Sequence, residues 1–276
     1  MNHVEVYGAD HSPWVQAVLL GLHDAGIPHA LTTLPPLETF RKSGVMMPAA
    51  SIDQGSWQLE SADILRQIGF SAVSEVEMKR VRGAWRGVLH RADSAALFWG
   101  GFSVIGDRDA SPARRLIKNF LRSFVTLYFY VLIRTAVLTG RPRDPENFGD
   151  QFLPFEAMLE ESGKPYLAGD GPDTLDFLLF GIIQCHCSIY VPPVAALQSD
   201  PRLQRLRGWI ARMHQRFSNY DHLYSGAYFA PHSRRPAWAS PLERIVFWLG
   251  AAFMIAAFPI TIPSIAILAI RNRNFG

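Results

Sequence analysis

Two short residue pairs, Met47-Pro48 and Glu60-Ser61, carry chemistry by their types and spacing. Pro48 stands where a β-run begins, and a proline there cannot donate to a ladder, so the position calls for an edge, a bulge or a cis bond. A cis bond would turn the Met47 amide and carbonyl away from the sheet, free to pair with an extended ligand as an added strand does. Asp53-Gln54-Gly55 then reads as a tight turn into a second short strand, Trp57 to Leu59. Ser61 follows at a helix N-cap, where free amides and the helix dipole favour an anion such as a ligand carboxylate. Together the pairs outline a pocket for the main chain and carboxylate of a small peptide.

The elements that must position them are legible upstream. Val4 to Tyr7 is a strand-like run, Gly8 to Ser12 a loop, and Pro13 to Ala25 a helix with proline at its first position, closed by Gly26. This order of strand, loop, helix, strand pair and helix resembles the thioredoxin-like N-terminal domain of glutathione S-transferases. The residues that carry the likeness are Ser12-Pro13-Trp14, Met47-Pro48 and Glu60-Ser61-Ala62-Asp63-Ile64-Leu65. Further along, Pro165 to Gly181 is similar to the family's capping segment, with Asp173 as helix cap and Asp176 as the acid that answers it. The resemblance spans residues 3 to 218. It implies an α/β thioredoxin-like N-terminal domain over 1–72 and an all-α C-terminal domain over 73–218.

It also implies a ligand, glutathione as co-substrate, and a site. In the family's serine and cysteine branches the residue before the proline of the first helix meets the sulfur, and here that residue is Ser12. A hydroxyl aimed at the sulfur, with the positive end of the helix behind it, stabilises thiolate and lowers the thiol pKa from its free value of about 8.5. Serine in place of cysteine disfavours a mixed-disulfide route and leaves conjugation or thiolytic substitution open. Tyr7 is the alternative hydroxyl, since some branches use a tyrosine near the end of the first strand. Trp14, Met47, Pro48, Glu60 and Ser61 complete the implied glutathione-binding set. His11 reads as a solvated loop residue. Cys185-His186-Cys187 is the one cysteine cluster, and residues two apart on a helix do not share a face, so buried reduced thiols are expected there and no metal site.

The net charge is +3, and the basic residues are almost all arginine, scattered along the chain, so no nucleic-acid stripe is formed. From Ile245 to Ile270 the chain runs without a charge, and about 20 such residues span a bilayer as helix. Arg234, Arg235 and Arg244 precede this run and Arg271 and Arg273 follow it. A hydrophobic membrane anchor is therefore expected over 242–276, joined by a linker over 219–241. Pro259 and Pro263 leave two geometries open, a kinked transmembrane span or a re-entrant helical segment. Residues 112–140 read as an inserted aromatic helix, either lying in the membrane plane with Arg122 and Arg134 snorkelling to headgroups, or serving as a core or dimer-interface helix.

Two functions fit. One is a membrane-associated transferase whose folded domains face the cytoplasm, using glutathione against a hydrophobic small molecule drawn from the lipid bilayer. The other is a non-catalytic module of the same fold, a membrane adaptor or assembly subunit with a homodimer or membrane protein partner.

Overall fold

The computed structural model describes residues 3–44, 46–87, 95–106, 111–140, 145–224, 229 and 238–273. The chain forms two compact units. Met1–Pro36, Met46–Val88 and Asp144–Arg234 make the first, and Leu37–Val45, Leu89–Arg143 and Arg235–Gly276 the second.

In the first unit, β1 (Val4–Tyr7) alternates as a half-covered strand should, burying Val4 and Val6 and exposing Glu5. Helix α1 (Pro13–Asp24) carries the chain across to β2 (His29–Thr32), which pairs parallel with β1, Val4 opposite His29 and Tyr7 opposite Thr32. A parallel pair requires such a crossover. The next helix, α2 (Leu37–Ser43), belongs to the second unit. The chain then returns as β3 (Ala49–Ile52), antiparallel to β1, and β4 (Gln58–Leu59), antiparallel to β3, giving the order β2-β1-β3-β4. The turn between β3 and β4 holds Asp53 and Gln54 at φ 48° and 62°, conformations that short polar side chains tolerate. The Asp53 carboxylate accepts from the His3 amide at 3.0 Å. Helix α3 (Ser61–Gln67) closes the arrangement. This succession is the thioredoxin-like topology that the resemblance implied.

The helical body of this unit follows with α4 (Glu75–Ala84). The chain next contributes α5 (Ala95–Ser103) and α6 (Pro112–Gly140) to the second unit. It resumes with a 3-10 turn at Asp150–Phe152, α7 (Leu153–Ser162), α8 (Thr174–His186), α9 (Pro192–Ser199) and α10 (Gln204–Arg216). Helices α1 and α8 form the core. Val15, Val18, Leu19 and Leu22 of α1 are fully buried, and α8 is buried along its whole length. Each such Val or Leu contributes about 1.5–3 kcal/mol. Gly181 permits the close crossing: a Cβ there would stand 2.1 Å from the Pro13 carbonyl oxygen.

The expected capping pair at α8 is present, with Asp173 at the N-cap and Asp176 answering it. Asp176 does more than cap. Fully buried, its carboxylate accepts from the amides of Leu167 (2.9 Å), Ala168 (3.2 Å) and Asp173 (3.2 Å) and from Trp209 Nε1 (2.7 Å). It ties the preceding loop and α10 to one helix end. Asp173 accepts from the Ser71 amide at 2.8 Å and so ties in the loop after α3.

The second unit is built on the pairing of α6 with α11 (Pro241–Arg273). Phe124 and Phe253 stack at 6.0 Å, and Gly250 lets the helices close, since a Cβ there would meet Ser123 Oγ at 2.2 Å. Arg115 Nε donates to Glu243 at 2.8 Å. Arg122 is 6% exposed and donates to the Ile105 carbonyl and to Asn119 Oδ1. Its guanidinium is thus hydrogen-bonded inside the unit, away from the snorkelling role expected for it. Helix α11 runs unbroken through Pro259 and Pro263, unlike a re-entrant hairpin. Thr261 and Ser264 turn their hydroxyls back onto the carbonyls of Ala257 (3.2 Å) and Ile260 (2.7 Å), one turn earlier in the same helix. Among the described residues α11 is the one helix long and apolar enough to cross a membrane, an 18-residue window within Pro241–Thr261 having a mean hydropathy of 1.7.

Two boundaries differ from the sequence reading. The first unit runs on across position 72/73, where Ser71 is bonded to the start of α8. The segment 112–140 and the tail, read separately as an insertion and an anchor, pack on each other. The expected linker also begins later: Tyr220, Leu223 and Tyr224 are 5–6% exposed and belong to the first unit. Arg234 and Arg235 lie outside the described residues.

Candidate functional site

Strand register assembles the site. Tyr7 stands opposite Ala49, and Ala49 opposite Leu59. The residues that leave the sheet after Tyr7, before Ala49 and after Leu59 therefore emerge at one end of it. They are Gly8 to Ser12, Met47-Pro48 and Glu60-Ser61, so the two pairs and Ser12 converge from three separate stretches.

Met47-Pro48 is cis, one of the three arrangements its position allowed. Among the described residues neither the Met47 amide nor its carbonyl enters a backbone hydrogen bond. The Met47 side chain turns to the neighbouring loop, where Sδ accepts from the Ala9 amide at 3.4 Å. Ala9 in turn accepts from the Ser12 amide at 2.9 Å, so Met47 and Ser12 are linked through one residue. Ser12 is the N-cap of α1, extended at φ −73° and ψ 127°, yet its side chain makes no capping bond. Its hydroxyl is not spent on the helix.

Glu60 is the strained member. It holds φ 70° and ψ 111°, a region costing a residue with a side chain about 1–3 kcal/mol, and such residues cluster at binding sites. It is solvent-exposed. The cap position also shifts by one from the expectation. Glu60 is the N-cap of α3, and Ser61, 5% exposed, is its first helical residue. The first helical hydrogen bond runs from Ile64 N to Glu60 O at 3.0 Å, so the Ser61, Ala62 and Asp63 amides lie ahead of it. The helix has only seven residues, which limits its dipole.

Two sequence candidates fall elsewhere. Tyr7 is 2% exposed, and burial pushes its phenol up to about 12, which is the wrong direction for a group that must share charge with a thiolate. It is a core residue. Trp14 points to the helical body, its ring 6.4 Å from that of Trp85 in an edge contact. In the other direction, His11 is not the solvated residue expected: its side chain is 11% exposed, with its ring 5.8 Å from Tyr224. Gln16, 1% exposed, was not anticipated at all; a buried glutamine in an otherwise apolar helix was the one signal in the sequence that could have marked it.

The cysteine cluster is inert. Burial pushes the Cys185 thiol up to about 12 and Cys187 further, and it pushes His186 down to about 4, with Nε2 donating to the Ala84 carbonyl at 2.8 Å. A cleft of about 480 Å³ lined by Lys164, Arg205, Gly208 and Arg212 does not include the residues of the candidate site.

No family model and no curated protein matches this sequence. Among solved structures the chain is similar to glutathione transferase E6 from Drosophila melanogaster, at 16% identity over 90% of this chain and 97% of that one, TM-score 0.43. It is also similar to a glutathione S-transferase from Xanthobacter autotrophicus Py2, at 15% identity over 76% and 91%, TM-score 0.40. A third likeness is to glutaredoxin 2 from Salmonella typhimurium in complex with glutathione, at 16% identity over 81% and 98%, TM-score 0.44. At such identities and scores nothing about residues or activity transfers to this chain. The small mixed sheet and mostly helical body stand on the topology itself.

Proposed function

We propose that the chain is a membrane-anchored, glutathione-dependent transferase. The observation that carries this reading is the convergence of Ser12, the cis Met47-Pro48 pair and the strained Glu60-Ser61 pair at one end of the sheet. Met47 supplies main-chain partners for the cysteinyl residue of glutathione. Glu60 and Ser61 hold the γ-glutamyl end, the carboxylate of Glu60 receiving its ammonium and the Ser61 hydroxyl and amide its carboxylate. Ser12 donates to the sulfur and favours thiolate, the reactive form. The thiol proton is lost to solvent, the thiolate attacks the electrophilic carbon of a hydrophobic substrate, a C–S bond forms, and the leaving group departs with the electron pair.

The full-length protein in detergent is expected to bind immobilised glutathione, and Ser61→Ala to weaken that retention about tenfold through loss of one charge-assisted hydrogen bond. Wild-type protein that passes through unretained rejects the reading. The buried Leu223 and Tyr224 beside His11 favour the non-catalytic alternative, and a retained protein with no thiol conjugation is its signature.

Helix α11 is the proposed anchor. Away from α6 the helix is apolar and open, with Leu242, Ile245, Leu249, Ile255 and Ile260 between 50% and 74% exposed. The first unit precedes it in the chain and faces the cytoplasm in this reading, where glutathione stays reduced. Carbonate-washed membranes should keep the full-length protein, and its release into the soluble fraction would exclude an integral anchor.

A further inference from the structure

Gln16 lies one helical turn beyond Ser12 on the same face of α1, its main-chain amide bonded to the Ser12 carbonyl at 2.9 Å. Its side chain is turned to a distant stretch of chain. Nε2 donates to the His222 carbonyl at 2.8 Å, and Oε1 accepts from the Tyr224 amide at 3.1 Å. A primary amide offers both a donor and an acceptor, so one side chain grips this stretch as a neighbouring strand would.

The same stretch is gripped a second time. The Tyr220 ring stacks on His23 at 4.2 Å, and its hydroxyl lies 2.6 Å from His29 Nε2. His29 Nδ1 lies 2.7 Å from the Ile27 carbonyl, which only accepts. Nδ1 therefore carries the proton, and the Tyr220 hydroxyl donates to Nε2. Between the two grips Leu223 is 5% exposed, and Tyr224, 6% exposed, rests against His11, the residue before Ser12.

We infer that Gln16 is a positioning residue: by hanging residues 220–224 across the face of α1 on which Ser12 opens, it sets the size of the apolar group that reaches Ser12. The selected class is a compact hydrophobic electrophile, with Tyr224 as the limiting wall. The inference rests on Ser12 as the reacting position, but its test reads access to residue 12 whether or not glutathione binds.

The test uses full-length protein carrying Ser12→Cys and compares labelling by N-ethylmaleimide and by the bulkier N-(1-pyrenyl)maleimide. Wild-type protein supplies the correction for Cys185 and Cys187. Adding Gln16→Leu should raise the pyrenyl-to-ethyl rate ratio about fivefold, the shift that losing one net hydrogen bond produces. Tyr224→Ala, which leaves the main-chain bonds to Gln16 in place, should raise it as well, and Gln16→Glu, which keeps the acceptor for the Tyr224 amide, should restore part of the selectivity. A ratio left unchanged by both Gln16→Leu and Tyr224→Ala overturns the inference. Hydrogen exchange supplies the second readout. Faster exchange at the Tyr224 amide with α8 unchanged supports a local clamp, whereas faster exchange throughout α8 assigns Gln16 to the core and overturns the positioning role.

Discussion

Asp176→Ala lowers the stability of the first unit by about 4 kcal/mol, read as a shift in the urea midpoint at constant slope. The magnitude follows from what is stranded. The Leu167, Ala168 and Asp173 amides and the Trp209 indole all donate to this carboxylate, and three of those four partners come from outside the capping box. A missing cap alone costs about 1 kcal/mol, whereas buried donors left without acceptors cost about 1–3 kcal/mol each before relaxation and water entry reduce the sum. Burial pushes the Asp176 carboxyl up, and its four donors offset only part of that rise. Against a total of about 5–15 kcal/mol, the loss should leave a visible unfolded fraction near body temperature. Asp176→Asn keeps one acceptor and is expected to lose about half as much. A cost near 1 kcal/mol for the alanine variant would reduce Asp176 to an ordinary cap.

Ser12→Ala should leave glutathione retention intact and lower kcat/KM for conjugation about 10²-fold, equivalent to about 2.7 kcal/mol of transition-state stabilisation. The asymmetry is the informative part. Ser12 makes no capping bond with its side chain, so its removal takes little from α1, while Met47, Glu60 and Ser61 still hold the peptide. Without the hydroxyl, the bound thiol moves back toward its free pKa of about 8.5, and the rate should climb with pH where wild type has already levelled. Ser12→Thr, which keeps the hydroxyl, should recover part of the rate. Parallel pH profiles for wild type and Ser12→Ala would show that Ser12 does not touch the sulfur. Tyr7→Phe should change neither rate nor profile, because its phenol sits in the core with burial pushing it up to about 12.

What could be read from the residues alone was whatever neighbours in sequence decide among themselves. The strand-like run Val4 to Tyr7 marked β1, proline at the first helical position marked α1, and Asp53-Gln54-Gly55 marked the turn. The Asp173 and Asp176 pair, three residues apart, announced the cap of α8, and the charge-free run after Arg244 announced the apolar helix. Each depends on groups within about one turn or one hairpin, where chain geometry leaves few alternatives. The Met47-Pro48 and Glu60-Ser61 pairs were legible for the same reason, and the cap at α3 was misplaced by a single residue because the strain that defines it, φ 70° at Glu60, belongs to the backbone path and not to residue type.

The tertiary structure decided everything that required distant segments to meet. Tyr7 carries no mark in the sequence saying whether a tyrosine near a strand end is buried or open; the packing left it 2% exposed. Arg122 read as a headgroup ligand until the Ile105 carbonyl took its charge inside the second unit. Gln16 looked like one polar residue on an apolar helix, and its meaning lies in the main chain of His222 and Tyr224, more than two hundred residues along. Pairings of that kind are chosen by the packing of whole helices, a global balance of burial against unsatisfied polar groups that local spacing does not encode.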